Sequence, residues 1–286
     1  MSSAAALDLP PLRLPEGLEP LGQKQRSDHA DWLRTWEALQ RSPDVARADA
    51  LVAVAAQRVR DRLQHVDAAA YGWSGGKDSV ALEVVMREAG VTECVLAISG
   101  LEWPAFLAWA TDHMPWGLTV ECNRTLDYRW LLDKHRTMLF PQGDYGAAWF
   151  RLIQHTGQRA YCASRGIEVL LGGWRGADGN NIGRRWEWEY LDKGGFVRFG
   201  PIADWSHEDT LNVIAARGMS LPPCYTWPRG FRVGTGAWPA RQWTRSKEHG
   251  WNECLAIDPT VVETAAAHGI PGAAEALDRY EHRKDV

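Results

Sequence analysis

Apolar and polar positions around residues 68–89 change from the spacing of a strand to that of a helix. Residues 68–71 form a short apolar run of the kind found in buried strands. Apolar side chains then recur at i, i+3, i+4 and i+7, the spacing of one helix face, at Leu82, Val85, Met86 and Ala89. Between the two patterns lies a glycine-rich stretch that ends in Lys-Asp-Ser. The pattern predicts a strand, a tight loop and the N-terminus of a helix.

The same alternation continues along the middle of the chain. It predicts four strands, near Ala68–Trp73, Cys94–Ser99, Leu118–Cys122 and Glu168–Gly172. It predicts helices between them, near Val80–Gly90, Pro104–His113, Leu126–Lys134 and Ala147–Arg165. Strands that alternate with helices are typical of an α/β fold with an open, mainly parallel sheet and helices on both faces. Such sheets bind ligands at the carboxyl ends of their strands, so the ends of the first, second and fourth strands are candidates for one site.

Helical additions are expected on both sides of this region. A lead with several prolines precedes two predicted helices, Asp28–Gln40 and Val45–Val66. After about residue 220 the chain is rich in Pro, Gly and Trp, and helical spacing returns at Pro259–Arg283. We therefore divide the chain into an N-terminal lead with helices, a central α/β domain and a C-terminal extension, at residues 1–66, 67–220 and 221–286.

The amino-acid composition indicates which classes of binding partner to expect. With 32 basic and 36 acidic residues the net charge is -4, which gives no reason to expect a nucleic acid and favours a small-molecule ligand. We see neither an export signal nor about eighteen consecutive apolar residues, so we expect a cytoplasmic protein without a membrane partner. The five cysteines form no close pair, which predicts reduced thiols and no iron–sulfur cluster. Oligomeric state is left open, a homo-oligomer included.

The loop at residues 74–79, Ser-Gly-Gly-Lys-Asp-Ser, has the composition of a phosphate-binding turn. Adjacent glycines let the backbone present its N–H groups, and the dipole of the following helix favours an anion. The lysine adds positive charge, the serines add hydroxyl donors, and the aspartate can hold a magnesium ion that bridges phosphates. A Walker A loop is excluded because an aspartate follows Gly-Lys where that motif requires Ser or Thr. The predicted phosphate-binding residues are Ser74, Gly75, Gly76, Lys77, Asp78 and Ser79.

This hexapeptide resembles the signature of the PP-loop ATP pyrophosphatases, and among them it is most similar to the phosphoadenylyl sulfate (PAPS) reductase-like family. The resemblance extends over about residues 68–241. It implies a Rossmann-like sheet of the adenine nucleotide α-hydrolase type. It also implies that the ligand is ATP or PAPS, with Mg²⁺ as cofactor and Asp78 as the metal ligand.

Two other turns resemble segments of the same family. Residues 99–104 stand where the family has an Asp-Thr-Gly turn before a helix, although Ile98-Ser99 replaces Asp-Thr. The resemblance implies that Ser99 and Gly100 line the nucleotide, and it leaves the role of Glu102 open. Residues 172–178 resemble the family's Gly-x-Arg turn, which implies that Gly173 and Arg175 meet the phosphate or sulfate end.

The sequence also predicts one helix N-terminus and several further arginines that could bind anions. Residues 199–209 resemble a Pro-Ile-x-x-Trp segment of the family, in which Ser206 and Asp209 predict a helix capping box. The weaker anion-binding candidates are Arg184, Arg185, Arg232 and Arg241.

Three functions share this expected site. In the first, an acceptor of unknown identity attacks the α-phosphorus of ATP and pyrophosphate leaves, with Lys77 and Arg175 as catalytic residues. In the second, a cysteine thiolate reduces PAPS with thioredoxin as partner, and Cys254 is the nearest candidate although the family's following glycine is missing. The third is a non-catalytic adenine-nucleotide-binding module. We rank α-phosphate chemistry first.

Overall fold

One six-stranded sheet forms the centre of the molecule. The computed structural model describes residue 12 and residues 14–22, 28–142, 145–179, 188–242 and 244–284. The strand order is β3-β2-β1-β4-β6-β5, and all neighbours are parallel except β5 and β6. The strands are β1 (Ala69–Gly72), β2 (Cys94–Ser99), β3 (Leu118–Asn123), β4 (Val169–Leu171), β5 (Glu189–Leu191) and β6 (Val197–Phe199). The predicted open, mainly parallel sheet is confirmed.

Helices precede, connect and follow the strands. The first six are α1 (His29–Arg41), α2 (Val45–Leu63), α3 (Lys77–Ala89), α4 (Pro104–His113), α5 (Tyr128–Met138) and α6 (Gly146–Phe150). A π-helix at Arg151–His155 joins α6 to the next helix without a break. The others are α7 (Thr156–Arg165), α8 (His207–Ala216), α9 (Gly230–Val233), α10 (Lys247–Ile257), α11 (Pro259–Ala267) and α12 (Ala273–Lys284).

Helices cover both faces of the sheet because successive strand residues point to opposite sides. In β1, Ala70 packs in a cluster with Tyr161 and Cys162 of α7. Its neighbour Tyr71 belongs to a larger cluster on the other face, which contains side chains of α2, α3 and α8. That larger cluster also includes side chains of α1, α10, α11 and α12. The N-terminal and C-terminal additions therefore share one hydrophobic core with the sheet.

Some element predictions are wrong. Strands β5 and β6 have three residues each, and β6 carries the buried Arg198, so neither shows an apolar pattern in the sequence. Helix α3 begins at Lys77 rather than Val80 because Gly76 is its N-cap. The predicted Pro259–Arg283 helix is two helices, α11 and α12, because the chain turns at Gly269 and Gly272 with positive φ. Helix α10, which the sequence analysis does not predict, begins after the Ser246 cap.

The strand order places a crevice beside β1. From β1 the chain moves outward to β2 and β3, and it then returns to form β4 and β6 on the other side. The carboxyl ends of β1 and β4 therefore flank the switch point at which open α/β sheets bind ligands. Among the residues that the structure describes, no helix combines the length and the apolar composition needed to span a bilayer.

Candidate functional site

A cavity of about 540 Å³ opens at this switch point. Its wall includes Gly72 at the end of β1, Ser74 after it, Ile98 in β2, and Gly172 and Gly173 after β4. The structure thus brings together the three strand ends that the sequence analysis selects. Of the predicted site residues, five line the cavity: Ser74, Asp78, Ser79, Gly173 and the weaker candidate Arg232.

Hydrogen bonds of the Ser79 hydroxyl stabilise the loop between β1 and α3. The Ser79 Oγ accepts a hydrogen bond from the Ser74 N–H at 3.0 Å and donates one to the Gly76 carbonyl at 2.9 Å. Gly75 takes φ of 67°, a conformation that favours glycine. The N–H of Lys77 donates to the Tyr225 hydroxyl at 2.6 Å. The turn is therefore fixed both from within and from the C-terminal part of the chain.

Lys77 and Arg175 lie behind the cavity wall. The Lys77 side chain is only 1% exposed, and its Nζ is 2.7 Å from Asp78 Oδ1 and 3.7 Å from Asp178 Oδ1. The Arg175 side chain is fully buried and contacts the same two carboxylates, Asp78 at 2.8 Å and Asp178 at 3.0 Å. Two positive charges are thus balanced by two carboxylates. Direct phosphate binding by Lys77 and Arg175 stays a prediction.

Arg175 also fixes the start of α8 to the site. Its Nη1 donates to the carbonyls of Trp205 and Ser206 at 3.1 and 2.7 Å. Its Nη2 lies 3.0 Å from His207 Nδ1, which must accept because a guanidinium can only donate. The predicted capping box of Ser206 and Asp209 is confirmed at the start of α8. This network orients the carboxylates that face the cavity.

Gly173 allows the turn after β4 to approach the first turn of α3. A Cβ at this position would lie 2.8 Å from the Asp78 carbonyl oxygen and 2.9 Å from its carbonyl carbon. Real Cβ atoms do not tolerate such distances to backbone atoms. Because Gly173 has no side chain, the turn after β4 can pack closely against the backbone of Asp78.

The turn after β2 presents Glu102 to the cavity. Its Oε1 accepts hydrogen bonds from the Ser99 N–H and the Ser99 hydroxyl, both at 2.9 Å. Burial raises the pKa of Glu102 to about 7, although the hydrogen bonds from Ser99 oppose that shift. Ser99 and Gly100 themselves do not line the cavity, and the Gly100 N–H donates to the Leu126 carbonyl. Their predicted contact with a nucleotide stays a prediction.

The C-terminal extension supplies one wall of the cavity through residues 229–242. Both ends of this segment bind one buried carboxylate, because Arg229 and Arg241 each donate to Glu253 of α10. Between these anchors Arg232 and Thr235 line the cavity. The Thr235 hydroxyl lies beside Gly76, where it would be 3.3 Å from an added Cβ. Arg232 is the one positively charged side chain among the described residues that line the cavity.

The cavity wall also contains aromatic and amide side chains. Trp149 and Trp174 line it together with the amides of Gln154, Gln158 and Gln242. The sequence analysis does not select these residues, although Gln154 and Gln158 have i, i+4 spacing and so lie on one face of the π-helix and α7. Trp149 is held in place by a hydrogen bond from its Nε1 to the Met138 carbonyl. The cavity wall therefore combines charged, aromatic and amide side chains.

The remaining candidates lie away from this cavity. Cys254 is fully buried in α10, and burial raises the pKa of its thiol. Arg241 is buried against Glu253 and is not part of the cavity wall. Arg184 and Arg185 lie outside the described residues.

No protein-family model matches the chain, and no curated protein sequence matches it. Solved structures similar in fold include a PAPS reductase from Candida auris in complex with phosphate, which is 11% identical at a TM-score of 0.48 over 67% of this chain and 94% of that chain. The U34-tRNA thiolase NcsA from Methanococcus maripaludis, which carries a 4Fe–4S cluster, is 13% identical at a TM-score of 0.43, over 81% of this chain and 80% of that chain. An NMN synthetase from Francisella tularensis is 16% identical at a TM-score of 0.41, over 67% of this chain and 78% of that chain.

Proposed function

We propose that this chain is an adenine-nucleotide-binding enzyme of the PP-loop type that cleaves ATP at the α-phosphate. The observation that supports this most is the cavity at the switch point, whose wall combines the Ser74–Ser79 loop with aromatic and amide side chains. Phosphates fit the loop because a glycine-rich turn at a helix N-terminus favours anions. An adenine ring fits the aromatic and amide side chains because aromatic walls with a few amides are typical of sites for planar ligands.

Hydrogen-bond donors for phosphate come from two parts of the chain. Ser74 presents its hydroxyl group from the loop, and Arg232 and Thr235 line the same cavity from the C-terminal segment. A guanidinium can bind two phosphate oxygens at once, so Arg232 is the residue that we assign to the triphosphate. Lys77 and Arg175 support the site from behind by holding Asp78 and Asp178 in position.

The carboxylates of Asp78 and Asp178 fit the magnesium ion that accompanies ATP. Both line the cavity, and the buried Oδ1 of Asp178 receives no hydrogen bond from any described residue. Carboxylate oxygens are the ligands that Mg²⁺ prefers. When bound, the ion would neutralise charge on the phosphate oxygens. The chain's own residues would then orient the α-phosphate towards the acceptor.

The reaction that we assign is transfer of adenylate. An oxygen of the acceptor forms a bond to the α-phosphorus. The bond between the α-phosphorus and the oxygen that bridges it to the β-phosphate breaks, and pyrophosphate leaves with the bridging oxygen. Arg232 would stabilise charge that develops on the leaving pyrophosphate. Reduction of PAPS is less well supported, because the Cys254 thiol is buried outside the cavity and burial disfavours its thiolate.

Calorimetry with Mg·ATP tests the proposal. Wild type is expected to bind ATP, and Arg232→Met is expected to lower the affinity about tenfold to hundredfold, the range for losing a charge-assisted hydrogen bond. Arg34→Met is the matched control, because Arg34 is an exposed arginine on α1 that pairs with Asp31. It should leave the affinity unchanged.

Product analysis separates the enzyme from a binding module. With water in place of the acceptor, slow release of AMP and pyrophosphate in equal amounts supports the assigned reaction. ATP binding without either product supports the non-catalytic alternative. Failure of wild type to bind any adenine nucleotide contradicts both.

A further inference from the structure

Glu102 is a carboxylate in the cavity wall that the assigned reaction does not use. We propose that Glu102 binds the ribose hydroxyls of the nucleotide and thereby selects adenine nucleotides that lack a 3′-phosphate. This inference rests on the proposed function and makes it more specific, because it names ATP rather than PAPS as the substrate.

The turn after β2 holds Glu102 in a defined orientation. The Ser99 N–H and the Ser99 hydroxyl both donate to Oε1, so one carboxylate oxygen is fixed from two directions. Among the described residues, no hydrogen bond or ion pair reaches the other oxygen, Oε2. Since Glu102 lines the cavity, a ligand there can supply the missing donors. A hydroxyl group is a suitable donor for this oxygen.

Glu102 stands beside the phosphate loop. Phe106, in the first turn of α4, lines the same cavity, and its ring would be 2.8 Å from a Cβ added to Gly75. The wall that carries Glu102 therefore packs directly against the loop. In dinucleotide-binding doubly wound sheets an acidic side chain near the end of the second strand accepts a hydrogen bond from the ribose 2′-hydroxyl, and the 3′-hydroxyl lies on the neighbouring ribose carbon, on the same side of the ring. Glu102 follows β2 by three residues, in the corresponding place.

The charges in the cavity oppose a phosphate on that sugar. In the described part of the chain, the other charged side chains of the wall are Asp78, Asp178 and Arg232. The two aspartates are anionic, and Arg232 lies on the segment that covers the phosphate loop. No described cation thus pairs with Glu102 to neutralise a 3′-phosphate there. A carboxylate that accepts a hydrogen bond from a 3′-hydroxyl repels a 3′-phosphate. Glu102 would therefore both bind nucleotides with a free 3′-hydroxyl and exclude those with a 3′-phosphate.

Selectivity is expected to depend on pH. Burial raises the pKa of Glu102 to about 7, so the side chain is mainly neutral at pH 6 and mainly charged at pH 8. A neutral carboxyl can donate to a phosphate oxygen, whereas a carboxylate repels it. Discrimination against a 3′-phosphate should therefore increase as the pH rises from 6 to 8.

The test compares 5′-AMP with adenosine 3′,5′-bisphosphate, which differ only in the 3′-phosphate. Calorimetry on the full-length protein at pH 8 should show that wild type binds 5′-AMP at least about tenfold more tightly, since an unpaired like-charge contact costs at least one charged hydrogen bond. Glu102→Gln keeps the size and one acceptor oxygen, so it should bring the two affinities within about threefold of each other, because only the repulsive charge is removed. Circular dichroism melting of this variant checks that it is folded.

The outcomes distinguish this inference from the proposed function. Tight binding of 5′-AMP together with equal affinity for the bisphosphate in wild type contradicts the role of Glu102 and leaves the proposed function standing. Selectivity that persists unchanged in Glu102→Gln contradicts it as well. Absence of binding to both nucleotides contradicts the proposed function and the inference together.

Discussion

At the residue scale, Gly173 is the position where a single methyl group should disturb the site most. In Gly173→Ala the new Cβ would meet the backbone of Asp78, which sits in the first turn of α3 and cannot yield as a side chain would. We expect a loss of about 1 to 3 kcal/mol in the free energy of unfolding, as for other overpacked positions. We also expect weaker binding of Mg·ATP, because Asp78 is displaced. Urea unfolding and calorimetry measure the two effects.

Gly250→Ala is the matched control for this prediction. Gly250 lies in α10, outside the cavity, and an added Cβ would be 2.4 Å from the Phe140 ring. This variant should also lose stability, but its affinity for ATP should stay at the wild-type value. Equal loss of affinity in both variants would show that instability, and not the position of Asp78, weakens binding.

Residue chemistry was predictable where the partners are close in sequence. The hexapeptide at 74–79 identifies the loop, and Ser74 and Ser79 do line the cavity. The state of Lys77 was not predictable, because Asp178 approaches it from a turn about a hundred residues later. Arg175 looked like a free anion clamp in the sequence, yet its side chain is buried against carboxylates and carbonyl groups. The sequence does not show which charged side chains will lie next to a given charged residue in the folded protein.

At the element scale, the β5–β6 hairpin depends on one buried carboxylate. Asp192 accepts hydrogen bonds from Arg159 of α7 at 2.6 Å and from Arg198 of β6 at 2.7 Å. Burial alone would raise the pKa of Asp192, but these bonds and the Gly194 N–H outweigh it and hold the pKa well below its usual value. The ionised Asp192 carboxylate therefore links α7 to the β5–β6 hairpin through its two arginine partners.

Asp192→Asn should destabilise the protein in a pH-dependent way. At pH 7 we expect a loss of about 3 kcal/mol, because the buried Arg198 and the partly exposed Arg159 lose a charged partner. A group with a lowered folded-state pKa stabilises above its unfolded pKa, near 4, and this contribution is lost as the pH falls through the folded pKa. The difference between wild type and variant should therefore stay constant from pH 7 to 5 and shrink below about pH 4.

Urea unfolding at several pH values measures this difference. Asp49→Asn is the control, since Asp49 is an exposed aspartate that pairs with Arg217 of α8. It should change the free energy of unfolding by less than about 1 kcal/mol at every pH. A constant effect of Asp192→Asn down to pH 3 would contradict the role of its charge.

At the scale of the whole molecule, the terminal additions stabilise the site by sharing its core. Trp32 of α1 stacks on Phe231 of α9 at 5.1 Å between ring centroids and meets His207 of α8 edge-on at 4.6 Å. It thus joins the N-terminal helices to the C-terminal segment and to the helix that follows β6. We expect Trp32→Ala to cost about 3 to 5 kcal/mol.

Trp116→Ala controls for the loss of a tryptophan, because Trp116 is 82% exposed. It should change stability by no more than about 0.5 kcal/mol. Circular dichroism in urea measures both variants without relying on tryptophan fluorescence. A Trp32→Ala protein as stable as wild type would show that the additions fold apart from the sheet.

Strands β1 to β4 were predictable because each has an apolar run flanked by turn residues. The bounds of β2 and α4 agree with the sequence prediction. The wall formed by residues 229–242 was not predictable, since its position depends on Arg229 and Arg241 meeting Glu253 in a later helix. Short elements with buried charge, such as β6, also lack the pattern that identifies a strand.

The most direct test of the account is a crystal structure of the protein with Mg²⁺ and α,β-methylene ATP, which the proposed reaction cannot cleave. We predict triphosphate density between the Ser74–Ser79 loop and Arg232, with the ribose beside Glu102 and the base at the end lined by Trp149 and Trp174. A nucleotide bound elsewhere, with this cavity containing only solvent, would contradict the central claim.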